Sequence, residues 1–314
     1  MRVLTTILLS VVAALLLVSP AAAKPRYVVG IGDQSAAMFA NPHFLKLGIK
    51  RVRYIVPWDG LKHAGQRAEI DTYMSFARGA GMDVMLAFSA RRGCYKDGRY
   101  SKRKACRAPS YAAFRTQVRA FHRRFPEVRT YSPWNEANHK SQPTKQRPLL
   151  ALRYYRVVRR VCMKCTVVAL DLLDQGDMVR YLEAFAQKAG SRARIWGIHN
   201  YSDVNGFRNG ATQKILAAAP GEVWMTETGG IVKFKPRYGY DERRAARSIR
   251  TMFALADKYS KRQPGTRSRI TRVYPYQWTG VRRGERFDAG LTDPRGRPRK
   301  ALQVFRRYVR QRGR

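Results

Sequence analysis

The chain has 314 residues and carries 62 Lys/Arg against 21 Asp/Glu, a formal net charge of +41. With 45% hydrophobic and 11% aromatic residues, it has the composition of a packed globular protein, not of a disordered polycation. A field of that sign attracts anions without dictating a fold, and no DNA- or RNA-reading motif is present, so a specific nucleic-acid partner is not expected.

Residues 1–23 read as an export signal. Arg2 gives a positive start, Leu8 to Val18 is apolar apart from Ser10, and Pro20-Ala21-Ala22-Ala23 offers a cleavage site before Lys24. The apolar core is short for a membrane span, and no other stretch approaches one. The mature chain, residues 24–314, is therefore expected to be secreted, extracellular or cell-wall associated, and monomeric, with no transmembrane span. Its length suits one domain. Four cysteines fit an oxidising compartment. They allow three pairings, of which Cys94–Cys106, closing a basic loop, and Cys162–Cys165, a local clip at a helix end, are favoured. Redox chemistry at Cys162-Met-Lys-Cys165 is the alternative, and the export signal argues against it. No second Cys or His pair stands at zinc-ligand spacing, so no metal is expected.

Apolar strand-like runs then alternate with stretches of helical period. The runs are Tyr27–Ile31, Arg51–Val56, Asp83–Phe88, Val128–Trp134, Thr166–Leu170, Arg194–Ile198, Val223–Thr226 and Ile270–Tyr276. Helices are expected near 36–47, 68–80, 110–124, 146–162, 177–188, 210–218, 241–258 and 298–312. Ser110 is placed to cap the third, and Gly48, Gly81 and Gly190 to stop helices before the next strand. Eight strand–helix units in this length predict an α/β fold, a single-domain (β/α)8 TIM barrel. A doubly wound sheet would show a glycine-rich phosphate turn after its first strand, and Gly30-Ile-Gly32 is only a fragment of one.

A barrel gathers the residues at its strand C-termini on one face. That face would collect Arg53, Trp58 and Asp59 from strand two, Asn135 and Glu136 from strand four, and His199 and Tyr201 from strand six. Glu227 would follow from strand seven and Trp278 from strand eight. The chain holds only eight glutamates. Two of them, Glu136 and Glu227, end apolar runs, which is the arrangement of a two-carboxylate glycosidase. Breaking an acetal needs a proton on the leaving oxygen and negative charge near the anomeric carbon, and two carboxyls in different protonation states supply both. Each charge raises the other's pKa, so one carboxyl is expected protonated and the other ionised. Asn135 can donate to a sugar hydroxyl, and Trp278, with Trp58 and Trp134, offers flat faces for sugar C–H surfaces. His139 and Asp203 follow the key motifs closely enough to touch substrate. Arg51 rivals Arg53 until the strand register is known.

At these residues the chain resembles the clan A glycoside hydrolases. Trp134-Asn135-Glu136 looks like the clan's Asn-Glu pair, whose Glu is the acid/base, and Thr226-Glu227-Thr228-Gly229 looks like its strand-seven nucleophile. His199-Asn200-Tyr201 is similar to the pattern whose Tyr hydrogen-bonds the nucleophile. Trp278 is similar to the tryptophan that floors the sugar site, and Arg53 to the arginine that supports the nucleophile. With these roles the resemblance implies that Glu227, favoured by Arg53 and Tyr201, is ionised and Glu136 protonated. Ala137 departs from the pattern, where many members carry proline. The resemblance implies a barrel and a retaining β-glycosidase acting on a poly- or oligosaccharide without cofactors. The rival readings are a non-catalytic glycan- or cell-wall-binding protein on the same barrel, and a basic surface protein that binds anionic polymers by charge alone.

Two basic segments follow strands three and eight. The loop from Arg91 to Arg107 holds eight Lys/Arg against Asp97, and Arg282 to Lys300 is also rich in arginine. Both are expected to rim the catalytic face, which would suit an anionic glycan such as an acidic cell-wall polymer.

Overall fold

Eight parallel strands close on themselves in the computed structural model, which describes residues 27–96, 98–282 and 284–312. The expected export signal lies outside these residues. The strands are β1 (Val28–Val29 and Ile31–Gly32), β2 (Arg51–Pro57), β3 (Asp83–Ser89) and β4 (Thr130–Ser132), followed by β5 (Thr166–Val167 and Asp171–Leu173), β6 (Ile195–His199), β7 (Gly221–Thr228) and β8 (Ser268–Pro275). Both β1 and β5 are broken in two. The first segment of β1 pairs with β8 and the second with β2, while the first segment of β5 pairs with β4 and the second with β6. With β2–β3, β3–β4, β6–β7 and β7–β8 also paired in parallel, the ring has no open edge.

Around the barrel run α1 (Pro42–Leu45), α2 (Ala64–Gly79), α3 (Tyr111–Arg124), α4 (Pro148–Val161), α5 (Met178–Ala189), α6 (Tyr201–Asn205), α7 (Gly210–Ala218), α8 (Glu242–Tyr259) and α9 (Lys300–Arg312). Ser110 caps α3, its hydroxyl accepting from the Ala113 amide at 3.2 Å, and Asp241 caps α8 in the same way from Arg244 at 2.9 Å. Gly81, with φ of 64°, follows α2 as a left-handed stop. The helix expected over 36–47 is instead a 3-10 turn, Ala36–Ala40, followed by α1. Pro42 has no amide hydrogen to continue a helix, but it starts one well behind the Asn41 cap. α2 begins four residues before its expected start, and the short α6 was not expected. Among the described residues no helix is long and apolar enough to cross a membrane.

The core has two parts. Between barrel and helices, rings pair across the layers: Tyr54 stacks on Tyr73 of α2 at 3.7 Å, and Phe88 meets Phe121 of α3 at 5.1 Å. Trp134 stacks on Tyr154 of α4 at 4.7 Å, and Trp196 meets Phe185 of α5 at 5.9 Å. Met85 of β3, Val168 in the break of β5, Trp224 of β7 and Tyr274 of β8 form a separate buried cluster that fills the barrel. On β5 and β7 these apolar residues precede buried Asp171 and Thr226, so the barrel's filling turns polar toward its C-terminal mouth. The disulfides Cys94–Cys106 and Cys162–Cys165 pair as expected, with Cα separations of 5.5 and 5.3 Å.

Gly197 on β6 makes room for the polar layer. A Cβ there would lie 2.5 Å from Asp171 Oδ1 and 2.7 Å from Thr226 Oγ1. Gly197→Ala is expected to destabilise the fold by about 1–3 kcal/mol, the scale of core overpacking. The urea midpoint should fall while the slope stays the same, and an unchanged midpoint would contradict this packing.

Candidate active site

Five strands deliver polar side chains to one point at the C-terminal mouth, and Arg53 stands at its centre. Its side chain is fully buried. Nη1 donates to Glu227 Oε2 at 2.8 Å, and Nη2 donates to Asn135 Oδ1 at 2.6 Å and Asp171 Oδ2 at 2.9 Å. Arg51, two residues nearer the N-terminal mouth, is half-exposed and pairs with Asp83 at 3.4 Å, so the register selects Arg53.

Asp171 is the second hub. It accepts from Ser132 Oγ at 3.1 Å and from Thr226 Oγ1, and its Oδ1 lies 3.0 Å from His199 Nε2. His199 Nδ1 lies 3.2 Å from Glu136 Oε1 and 3.8 Å from Glu227 Oε2. One oxygen from each glutamate and a ring nitrogen of His199 fall within 4.8 Å of one another. Tyr201, from α6, donates its hydroxyl to Glu227 Oε1 at 3.2 Å.

The backbone pins Glu136 from both sides. The Asn135 amide donates to Phe88 O at 2.7 Å and the Ala137 amide to Asp171 O at 2.9 Å. Between them Glu136 adopts φ of 47°, a left-handed conformation that is costly for a residue with a Cβ and is found preferentially at functional sites. A proline at position 137 would lack the amide that makes the second bond, which gives Ala137 a structural reason in this chain.

Electrostatics departs from the expectation. Burial pushes the Glu136 carboxyl up, but the hydrogen bond and charge of His199, followed by the charge of His139, outweigh it and hold the pKa below its ordinary value. Burial would depress His199, yet the Asp171 and Glu227 carboxylates raise it to about 10. Asp171 is held far below the carboxylate range despite its burial, by His199 and Arg53. This balance favours the charged form of Glu136 in the free site and the protonated form of the imidazole beside it.

These groups open onto a cavity of about 460 Å³. Asn135, Glu136, Asp174, Gln175 and Glu227 supply its polar surface, and Ile55, Leu173, Tyr201, Phe234, Tyr276 and Phe287 its apolar walls. His139 lines it too, 3.5 Å from Glu136 Oε2. Trp278 does not line it. It is buried against Phe44 at 5.4 Å, and Tyr276, two residues earlier, faces the cavity instead. Trp58 and Trp134 are also packed away, Trp58 beneath Lys62 and Trp134 on Tyr154 with its indole N–H on Gln142. Asp203 caps α7, accepting from the Thr212 and Ala211 amides at 2.6 and 3.2 Å. Among the described lysines and arginines only Arg237 lines the cavity, so the described parts of the two basic segments supply none of its lining cations. The sequence did carry a signal for Asp171, since it follows the apolar run Thr166–Leu170 just as the glutamates follow theirs. Nothing comparable marks Asp174, Phe234 or Phe287.

Glu136, His199 and Glu227 stand at metal-ligand distances. A cation there would compete with the positive charge already supplied by Arg53 and by His199, whose Nδ1 faces Glu136 as a proton donor. The other such trio, His122 with Cys162 and Cys165, has both sulfurs in a disulfide and offers no thiolate.

No protein-family model matches the sequence, and no curated protein matches it. Solved structures do. A family 39 glycoside hydrolase from Bacteroides cellulosilyticus aligns with a TM-score of 0.56 and 14% identity, over 91% of this chain and 63% of that one. GH5_18 from Streptomyces cattleya in complex with GlcNAc gives 0.63 and 16%, over 93% and 81%. The exo-beta-1,4-mannosidase of Opitutaceae bacterium strain TAV5 gives 0.62 and 12%, over 90% and 59%. The chain thus spans less than two thirds of the first and third of these. At such identities the likeness is one of fold, the (β/α)8 barrel.

His199 is expected to remain protonated through neutral pH. Its contribution to stability is complete below the unfolded-state value of about 6.5 and is lost as pH rises through about 10. Imidazole NMR should show one of the five histidines titrating near the upper value, and Asp171→Asn should bring it down. Five wild-type histidines all titrating near about 6.5 would contradict the assignment.

Proposed function

We propose that this chain is a secreted retaining β-glycosidase that hydrolyses O-glycosidic bonds of a poly- or oligosaccharide. The observation that carries the reading is the approach of Glu136 and Glu227 to within 4.8 Å, in a cavity whose walls are largely aromatic. Retaining enzymes hold their carboxyls about 5–5.5 Å apart, whereas inverting ones need about 6.5–9.5 Å to admit a water. The barrel likeness to glycoside hydrolases supports the reading, and two disulfides suit an extracellular location.

Glu227 is the nucleophile. Its two oxygens accept from Arg53 and Tyr201, which orient it toward the anomeric carbon. As the C–O bond to the leaving group breaks, Glu136 delivers a proton to the departing oxygen. That proton is shared with His199 across the 3.2 Å contact, so Glu136 and His199 act as one titrating unit. Forming the glycosyl ester removes the charge of Glu227. Glu136 then takes a proton from water, which attacks the anomeric carbon and releases Glu227 as a carboxylate.

Asn135 accepts from Arg53 through Oδ1, which leaves its amide nitrogen free to donate to a sugar hydroxyl. Tyr276, Phe234 and Phe287 provide apolar faces for sugar C–H groups in place of the expected tryptophans. The route uses side chains alone.

Azide separates the two glutamates. Glu227→Ala should lose turnover on a glycoside panel and regain it with azide, giving a glycosyl azide of inverted configuration. Glu136→Ala should lose about 10²–10⁴-fold on substrates with poor leaving groups, much less on activated ones, and give an azide product of retained configuration. Full turnover in either variant without azide would overturn the assignment.

A further inference from the structure

A second cavity, of about 540 Å³, lies on the flank of the barrel where α3 and α4 begin. It is built from the loops that leave β3 and β4, the strands whose C-terminal ends border the catalytic mouth. Lys102, Arg107, Arg147 and Arg153 line it, together with Tyr111 and Tyr154, and among the described residues no acidic one does. Among the described residues none of these four cations forms an ion pair. Lacking an acidic partner is common in a chain with 62 Lys/Arg and 21 Asp/Glu; what sets these four apart is that they line a single concavity.

The groove is held in shape. The Cys94–Cys106 disulfide closes its upper loop, and Tyr100 donates its hydroxyl to Cys106 O at 2.7 Å. Tyr154 donates to Pro109 O at 2.7 Å, and Arg160 donates to the Tyr111 hydroxyl at 3.0 Å. The cations thus surround a fixed concavity, and the N-termini of two 14-residue helices open into it, adding partial positive charge of the same sign. The surrounding surface is equally one-sided. Residues 98–126 hold nine Lys/Arg and no acid, and 137–170, the longest acid-free run in the chain, hold eight and none. α3 and α4 pack side by side, so the two runs form one face.

The basic loop also touches the catalytic cavity. Tyr95 lies 6.1 Å from the ring of His139, which lines that cavity. The same loop that lines the groove therefore runs beside a residue of the catalytic cavity. A flat membrane surface would not enter a concavity, and the tyrosines offer a sugar chain apolar faces beside the cations.

We propose that this groove is a second, non-catalytic binding site for a carboxylate- or sulfate-bearing stretch of a glycan polymer. It rests on the glycosidase reading only for the saccharide nature of the polymer. The anionic partner foreseen from net charge is therefore gripped outside the cleft, where four cations line one concavity.

The test reads binding directly, so it stands whether or not the chain is a hydrolase. Affinities of wild type, Arg107→Ala/Arg147→Ala/Arg153→Ala and a control triple, Arg243→Ala/Arg250→Ala/Arg262→Ala, are measured by calorimetry. The probes are polygalacturonate, dextran sulfate, neutral dextran and a DNA duplex, across a salt series. The groove triple should weaken binding to one or both anionic glycans by about tenfold or more, while the control, with the same change in net charge, stays near wild type. Whichever polymer shows the groove dependence identifies carboxylate or sulfate as the bound group. Turnover of a small neutral glycoside should be unchanged in both triples. Equal losses in the two triples, no binding to either anionic glycan, or DNA binding that is as tight and as groove-dependent would each overturn the proposal.

Discussion

A single buried guanidinium organises the catalytic end of this barrel. Arg53 ties Glu227 of β7, Asp171 of β5 and Asn135 beyond β4 to β2, from a position without solvent contact. Burying such a charge is tolerable only because carboxylates surround it, and those carboxylates are tolerable only because of Arg53 and His199. Burial works against the charged form of Arg53, yet Asp171 and Glu227 raise its pKa. The network is therefore close to all-or-none: removing one member strands the others, at a cost of about 3–5 kcal/mol for a broken buried pair. That mutual dependence fixes the glutamates far more tightly than loop packing could, which is what bond-making at a defined distance requires.

His199 changes the character of the carboxyl pair. Two acids at this distance would by themselves push one pKa up, leaving one acid neutral. An imidazole between them, favoured in its charged form by Asp171 and Glu227, lowers the pKa of Glu136 and favours the proton on the ring. In the proposed route the acid step then depends on a shared proton. Asp171 touches neither the cavity nor, in the proposed route, the sugar. It acts through His199 and Arg53 as a positioning residue.

Much of this was legible in the chain. The alternation of apolar runs with helical periods marked all eight strands, because barrel strands buried on both faces read as continuous apolar segments. Strand ends also marked Arg53, Asn135, Glu136, His199, Tyr201 and Glu227, which meet in one place. The failures share a cause. Trp278 and Trp58 lie beyond strand ends, where the direction of a side chain follows loop path rather than strand alternation, and both turned inward. Trp134 faces outward onto α4. Phe234 and Phe287 reach the cavity on a small antiparallel ribbon, Lys233–Phe234 with Phe287–Asp288, formed by segments more than fifty residues apart, which no local pattern encodes. Part of the basic stretch near the C-terminus is spent on structure: Arg299 is buried on Asp288, Arg297 pairs with Asp293, and Arg286 lies over Phe234.

The account stands on Glu227 forming a covalent bond to sugar. The most direct measurement is intact mass, followed by peptide mapping, after incubation with a panel of 2-deoxy-2-fluoro glycosides bearing activated leaving groups. The fluorine slows both steps, and the leaving group lets the first outrun the second. The account predicts a mass increase of one fluoroglycosyl unit, located on Glu227. An adduct on another residue, or none from a sugar whose unsubstituted glycoside is turned over, would contradict it.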